Sequence, residues 1–268
     1  MNLTHALVAC VLLNAGAVSA AEGVRLVAQP DLAPRVAAFP RLAPGEPQAT
    51  RTNKALDAAD ARVKIAADEC RSQIGISSTG GLLAGSSLDE GRTLEWTRRI
   101  AVAMRGPRYL ALVTDDYADC GGLHPNDDSF ALTYDLRTGQ PPNWSALLPK
   151  SLVQKPTVEQ AMDETSLGMV TSPALKSIYL AAARKAAAAL TPNCLEVLLE
   201  LAGPFMLWPD AKQGGVVVQP SRLAHAAAAC GVPALIGIDI LRQRGVQPAL
   251  LDAIATAHRT VTSQAPVR

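Results

Sequence analysis

The chain has almost no net charge, with 25 Lys and Arg against 24 Asp and Glu for a formal balance of +1. Nucleic acids and anionic membranes recruit proteins through concentrated basic charge, so neither is an expected partner. Long apolar runs are equally scarce. The one candidate, residues 6–20, falls short of the roughly 20 residues a membrane helix needs. Histidine is rare too, with four in the whole chain. A catalytic zinc site wants two or three of them together, and a calcium loop wants alternating oxygen donors around a glycine; neither pattern occurs. No Gly-x-Ser-x-Gly elbow is present, and Ser77-Ser78 and Ser86-Ser87 have no base beside them. No internal repeat is visible.

What the chain does have begins at its start. Residues 6–20 end in Val18-Ser19-Ala20, the small-x-small order that a signal peptidase reads. Residues 1–20 therefore read as a secretion signal cleaved after Ala20 or Ala21, which predicts a periplasmic or secreted protein. Its first residues lack Lys and Arg. Leu7-Val8-Ala9-Cys10 has the order of a lipobox, but too little chain precedes it for a good lipoprotein signal. After cleavage Cys70, Cys120, Cys194 and Cys230 remain, and an even number in an exported chain reads as two disulfides. Three connectivities are possible. Cys70–Cys120 and Cys194–Cys230 are expected, because each joins segments that the strands described next should bring together.

The order of elements is mixed. Residues 21–51 form a Pro-rich lead-in, with Pro30, Pro34, Pro40, Pro44 and Pro47 leaving room for one short strand around 24–27. Residues 52–150 read as a helix plus a β-meander. Asn53 is expected to cap a helix with the stripe Leu56, Ala59, Val63, Cys70 and Ile74. A Ser/Gly-rich loop follows over 77–91. Alternation then predicts strands over 94–104, 109–113 and 130–136, with Arg105-Gly106-Pro107 turning the first into the second. Residues 151–260 read as a helical and short-strand part of the same domain. Helices are expected over 157–169 and 174–190, the second capped by Ser172 with Pro173 in its first turn, and Thr191-Pro192-Asn193 ends it. Strands over 204–208, 215–219 and 232–238, a small helix over 221–229 and a final helix over 249–258 complete the order. The class is α+β: an antiparallel β-meander sheet with helices packed on one face, stabilised by disulfides.

Several local motifs add a resemblance. They are Phe39-Pro40-Arg41-Leu42, Thr52-Asn53-Lys54-Ala55-Leu56 opening a helix, Asp116-Tyr117 before Gly121-Gly122-Leu123-His124-Pro125, and Tyr134-Asp135-Leu136-x-Thr138-Gly139. Together, over about residues 36–150, they resemble a domain of unknown function. That domain forms the extracellular part of the lysozyme-sensing anti-sigma factor RsiV and the non-catalytic part of the peptidoglycan deacetylase PdaC. The resemblance implies an extracytoplasmic α+β domain that binds rather than catalyses, lysozyme being one partner. The chain shows neither a sigma-binding segment nor a deacetylase domain, so signalling and deacetylation are not expected of it.

The chemistry concentrates at one place. Asp115, Asp116, Asp119, His124, Asp127 and Asp128 crowd the junction of the second and third strands. The plain reading is a built turn, in which Gly121-Gly122 supplies positive φ and the Asp and His side chains bond backbone groups. Loops on a rigid sheet also carry recognition, so Asp116, Tyr117, Asp119, Gly121, Gly122 and His124 are the candidate binding residues. Cys120 beside His124 is expected to be oxidised, not nucleophilic. His225 and His258 read as structural, the latter near a helix end that favours a cation. Phe205, Trp208 and Trp144 read as core. The expectation is an exported non-enzymatic binding domain without a cofactor, its partner an envelope protein, a lysozyme-like protein or a peptidoglycan fragment. The alternative is an envelope hydrolase using Asp115, Asp119 and His124, which requires those three side chains to converge.

Overall fold

The computed structural model describes residues 23–78, 94–121, 124–153, 155–157, 169–186, 191–200, 204–221, 223 and 225–264. The expected secretion signal and most of the expected 77–91 loop lie outside these residues. Short strands β1 (Leu26–Val27) and β2 (Arg41–Leu42) pair antiparallel and lead into α1 (Ala49–Ser78). Strands β3 (Glu95–Arg105), β4 (Tyr109–Asp119) and β5 (Asn126–Asp135) form the expected antiparallel meander.

Alternation along the meander gives each of its two faces a different partner. Leu110, Leu112, Leu132 and Tyr134 share one face and bury against Leu56 and Ala59 of α1 and against Phe39 and Leu42. Tyr109, Ala111 and Ala131 point the other way, into the larger apolar cluster formed with the C-terminal half. A register shift between Val102 and Met104 moves Met104 to this second face. The shift leaves Val102 44 % exposed and Met104 1 % exposed, the expected effect of one extra residue in an antiparallel ladder.

The C-terminal half holds a second antiparallel sheet in the order β10-β9-β8-β7-β6. Its strands are β6 (Lys155–Thr157), β7 (Met169–Thr171), β8 (Phe205–Asp210), β9 (Gly215–Pro220) and β10 (Ala234–Gly237). Every residue of β8 is buried, because one face meets the meander and the other meets the helices. Phe205, Trp208 and Trp144 are core residues, as expected. The Ala211 N–H donates to the Ala103 carbonyl at 2.8 Å, tying the two sheets by backbone. The helices are α2 (Trp144–Leu147), α3 (Pro173–Ala186), α4 (Pro192–Glu200), α5 (Ile238–Gln243) and α6 (Pro248–Ser263), with a 3-10 turn at His225–Cys230. Ser172 Oγ accepts from the Leu175 N–H at 3.2 Å, the expected cap of α3.

Four local expectations change. The ends of the expected 157–169 helix are strand: Thr157 pairs with Met169 and Val170 with Phe205, while residues 158–168 lie outside the described set. Val170 is fully buried, and ladder pairing in a core outweighs helix propensity. Pro192 opens α4 instead of only stopping α3, a first-turn position where proline's missing N–H costs nothing. The 221–229 segment is a 3-10 turn over His225–Cys230. Asn53 lies inside α1 and caps nothing. Its amide accepts from the Leu42 N–H and donates to the Leu42 carbonyl, both at 2.9 Å, and so docks β2 onto the helix as a further strand would. Both disulfides form as expected, Cys70–Cys120 with Cα atoms 4.9 Å apart and Cys194–Cys230 with 5.1 Å.

Candidate functional site

Most of the motif residues behind the family resemblance build architecture. The Phe39 N–H donates to both oxygens of buried Asp60 at 3.2 Å, and Asp60 Oδ2 also accepts from Arg41 Nη2 at 2.7 Å. Asp135 closes the turn after β5: Oδ1 accepts from the Arg137 N–H at 2.9 Å and Oδ2 from Arg108 Nη2 at 3.1 Å. Gly139 follows at φ +67°, and a Cβ there would meet the Arg51 side chain at 3.0 Å. α1 then seals that turn, with Arg51 Nη1 donating to the Thr138 carbonyl at 2.9 Å.

The acidic junction lies at the other end of the meander, where Ala118 pairs with Asn126, whereas Asp135 pairs with Tyr109. Beyond Val113, β4 carries its polar residues on alternate faces. Asp116 lies on the α1 side, opposite Arg98 on β3 and Asp128 on β5. Asp115, Tyr117 and Asp119 lie on the other side, opposite Arg99, Thr97 and Glu95. Asp119 is fully buried, and its Oδ1 accepts from the Gly121 N–H at 3.3 Å. Gly121 has φ +89°, the left-handed conformation expected of it. Gly122 lies outside the described residues. His124 is exposed. Cys120 is spent in its disulfide to α1.

Sequence reasoning missed the centre of this arrangement. The Arg98 side chain is wholly buried, its guanidinium 4.6 Å from the Phe39 ring centroid and 5.4 Å from that of Phe130. Asp116 Oδ1 stands 3.7 Å from Arg98 Nε and accepts from the Trp96 indole N–H at 3.2 Å. Burial pushes the Asp116 carboxyl above the ordinary aspartate range, against the downward pull of Arg98 and of the Trp96 hydrogen bond. The available signal was positional: Trp96, Arg98 and Ile100 alternate on β3, which puts an arginine on an otherwise apolar face.

The hydrolase alternative draws two of its three residues from β4. Asp115 and Asp119 share a face but stand four residues apart, about 13 Å at strand rise, beyond the roughly 5–9.5 Å that separates paired catalytic carboxylates in glycosidases. Asp116 points to the opposite face. Among the described residues, no group of three His, Cys, Asp or Glu side chains could hold a metal ion. No helix among them is long and apolar enough to cross a membrane.

No family profile matches the chain, and no curated protein matches it. Its fold is similar to the crystal structure of a DUF3298-family member from Bacteroides fragilis NCTC 9343, with a TM-score of 0.52 at 11 % identity. The match covers 81 % of this chain and 86 % of that one. At that identity the likeness concerns fold alone.

Proposed function

We propose that the chain is an exported, non-enzymatic binding domain whose recognition site is the β4–β5 tip. The observation carrying this reading is the way the tip is held. It is the end of a three-stranded sheet, is tied to α1 by Cys70–Cys120, and presents exposed Asp115, His124, Asp127 and Asp128. Preorganised polar side chains on a rigid element lose little entropy on binding. Two disulfides and the small-x-small leader support an oxidising compartment outside the cytoplasm. In this reading Asp119 and Gly121 shape the turn, Asp116 anchors it to Arg98, and Tyr117 and His124 meet the partner. The partner class is an envelope protein, a lysozyme-like protein or a peptidoglycan fragment, and the family resemblance to RsiV and PdaC favours the lysozyme-like one. The parts on either side of residue 150 act as one domain.

Capture of c-type lysozyme, and of proteins from an envelope extract, by the immobilised mature chain tests this directly. His124→Ala is expected to weaken capture several-fold, more than it lowers stability. Gly121→Val is expected to destabilise by roughly 1–3 kcal/mol, because a β-branched residue is strained at positive φ. Equal capture by wild type and His124→Ala would leave the tip as architecture only.

A further inference from the structure

Away from the tip, behind the β3–β4 turn, a cleft of about 220 Å³ opens between the N-terminal segment and the second half of α6. Its charged lining consists of Arg25 and Arg105, and no acidic side chain lines it. Arg25 spends only its Nε, 3.1 Å from Glu46 Oε1. Arg105 is exposed and has no ion pair among the described residues. Pro107, Ala211, Ala257 and Val261 give the cleft an apolar wall.

The backbone holds the two cations at one opening. A Cβ on Gly23 would lie 1.9 Å from the Arg105 carbonyl oxygen, so only glycine lets the lead-in pass this close. Gly106 is at φ +88°, and a Cβ there would meet Gly23 Cα at 3.2 Å. These two glycines interlock one residue from Arg105 and two from Arg25. Two guanidinium groups against one carboxylate, Glu46 on Arg25, leave a positive charge at the opening that favours an anion, and guanidinium N–H groups match a carboxylate's planar geometry. The volume equals that of about seven waters at ~30 Å³ each, room for a small ring-bearing acid.

We propose that this cleft binds a small organic carboxylate, its charge held by Arg25 and Arg105 and its apolar body against Pro107, Ala211, Ala257 and Val261. The test is isothermal titration of the whole mature chain with benzoate, with benzyl alcohol and inorganic phosphate as comparison probes. Saturable benzoate binding is expected, at least tenfold tighter than either comparison probe. Arg105→Gln is expected to weaken it at least tenfold, with an unchanged melting temperature because the side chain is exposed. Val261→Glu, which places a competing carboxylate in the cleft, is expected to abolish it. No saturable binding, phosphate binding as tight as benzoate, or undiminished binding by Arg105→Gln would each overturn the proposal. So would a large fall in melting temperature for Arg105→Gln with benzoate binding intact, since the arginine would then serve the carbonyl end of α6.

Discussion

The two halves of the fold close by different chemistry. Around α1 and the meander, a modest apolar cluster is wrapped in directional polar ties: Asp60 to Phe39 and Arg41, Asn53 to both backbone groups of Leu42, Asp135 to Arg108 and Arg137. Around the second sheet the apolar cluster is larger. The Tyr179 hydroxyl donates to the Val232 carbonyl at 2.9 Å, and His258 Nδ1 bonds the Ala211 carbonyl at 2.8 Å. Apolar packing resists in proportion to the atoms it buries. A buried polar tie fixes direction, and losing one partner strands the other. The first half is therefore built to orient and the second to stabilise, which suits a fold that holds a polar tip at a set angle.

The sharpest way to break this contrast is Phe205→Ala. Phe205 is fully buried in the cluster shared by both sheets, with its ring centroid 5.4 Å from that of Tyr179. A loss of about 3–5 kcal/mol is expected, in a single urea transition by circular dichroism. Two resolved transitions would show that the halves stand independently. Asp60→Ala should cost less but act more locally, about 1–3 kcal/mol, because it strands the Phe39 N–H while the Arg41 guanidinium keeps Asp57 and the Phe39 carbonyl. Amide exchange of Phe39 and Leu42 should rise well beyond the global loss. Uniform acceleration across the chain would deny the tie its directional role.

The smallest effect belongs to the second half's own polar tie. Burial raises the phenol pKa values of Tyr109 and Tyr179 above the ordinary tyrosine value. Above about pH 10 the unfolded chain releases those protons while the fold retains them, so stability falls as pH rises. Tyr179→Phe should cost about 1 kcal/mol at neutral pH and flatten the alkaline decline in urea midpoint. An unchanged slope would remove Tyr179 as a cause.

The same contrast explains which parts were legible in the sequence. Period-2 apolar alternation marked all three meander strands, the helical stripe marked α1, and Ser172-Pro173 marked the start of α3. These signals are local. The ladder that draws Thr157 and Met169 together depends on β8, far along the chain, and no window around either residue contains it. Proline misled at Pro192 because it stops one helix and suits the first turn of the next equally well. At the tip, the positive φ of Gly121 was readable from residue type and the disulfide from the order of the elements it joins. The place of Arg98 between Phe39 and Phe130 was not, since it needs β3, β5 and the lead-in assembled at once. Asp115 and Asp119 looked like neighbours in a list of acids; strand geometry sets them far apart.

Among the described residues the cysteines join in the order in which they occur, Cys70 with Cys120 and Cys194 with Cys230. A chain oxidised as it emerges from its N-terminus would expose Cys70 and Cys120 together before Cys194 and Cys230 had followed. Such a connectivity can form in sequence, without reshuffling of wrongly joined sulfurs. The tie from the tip to α1 needs no residue of the C-terminal half.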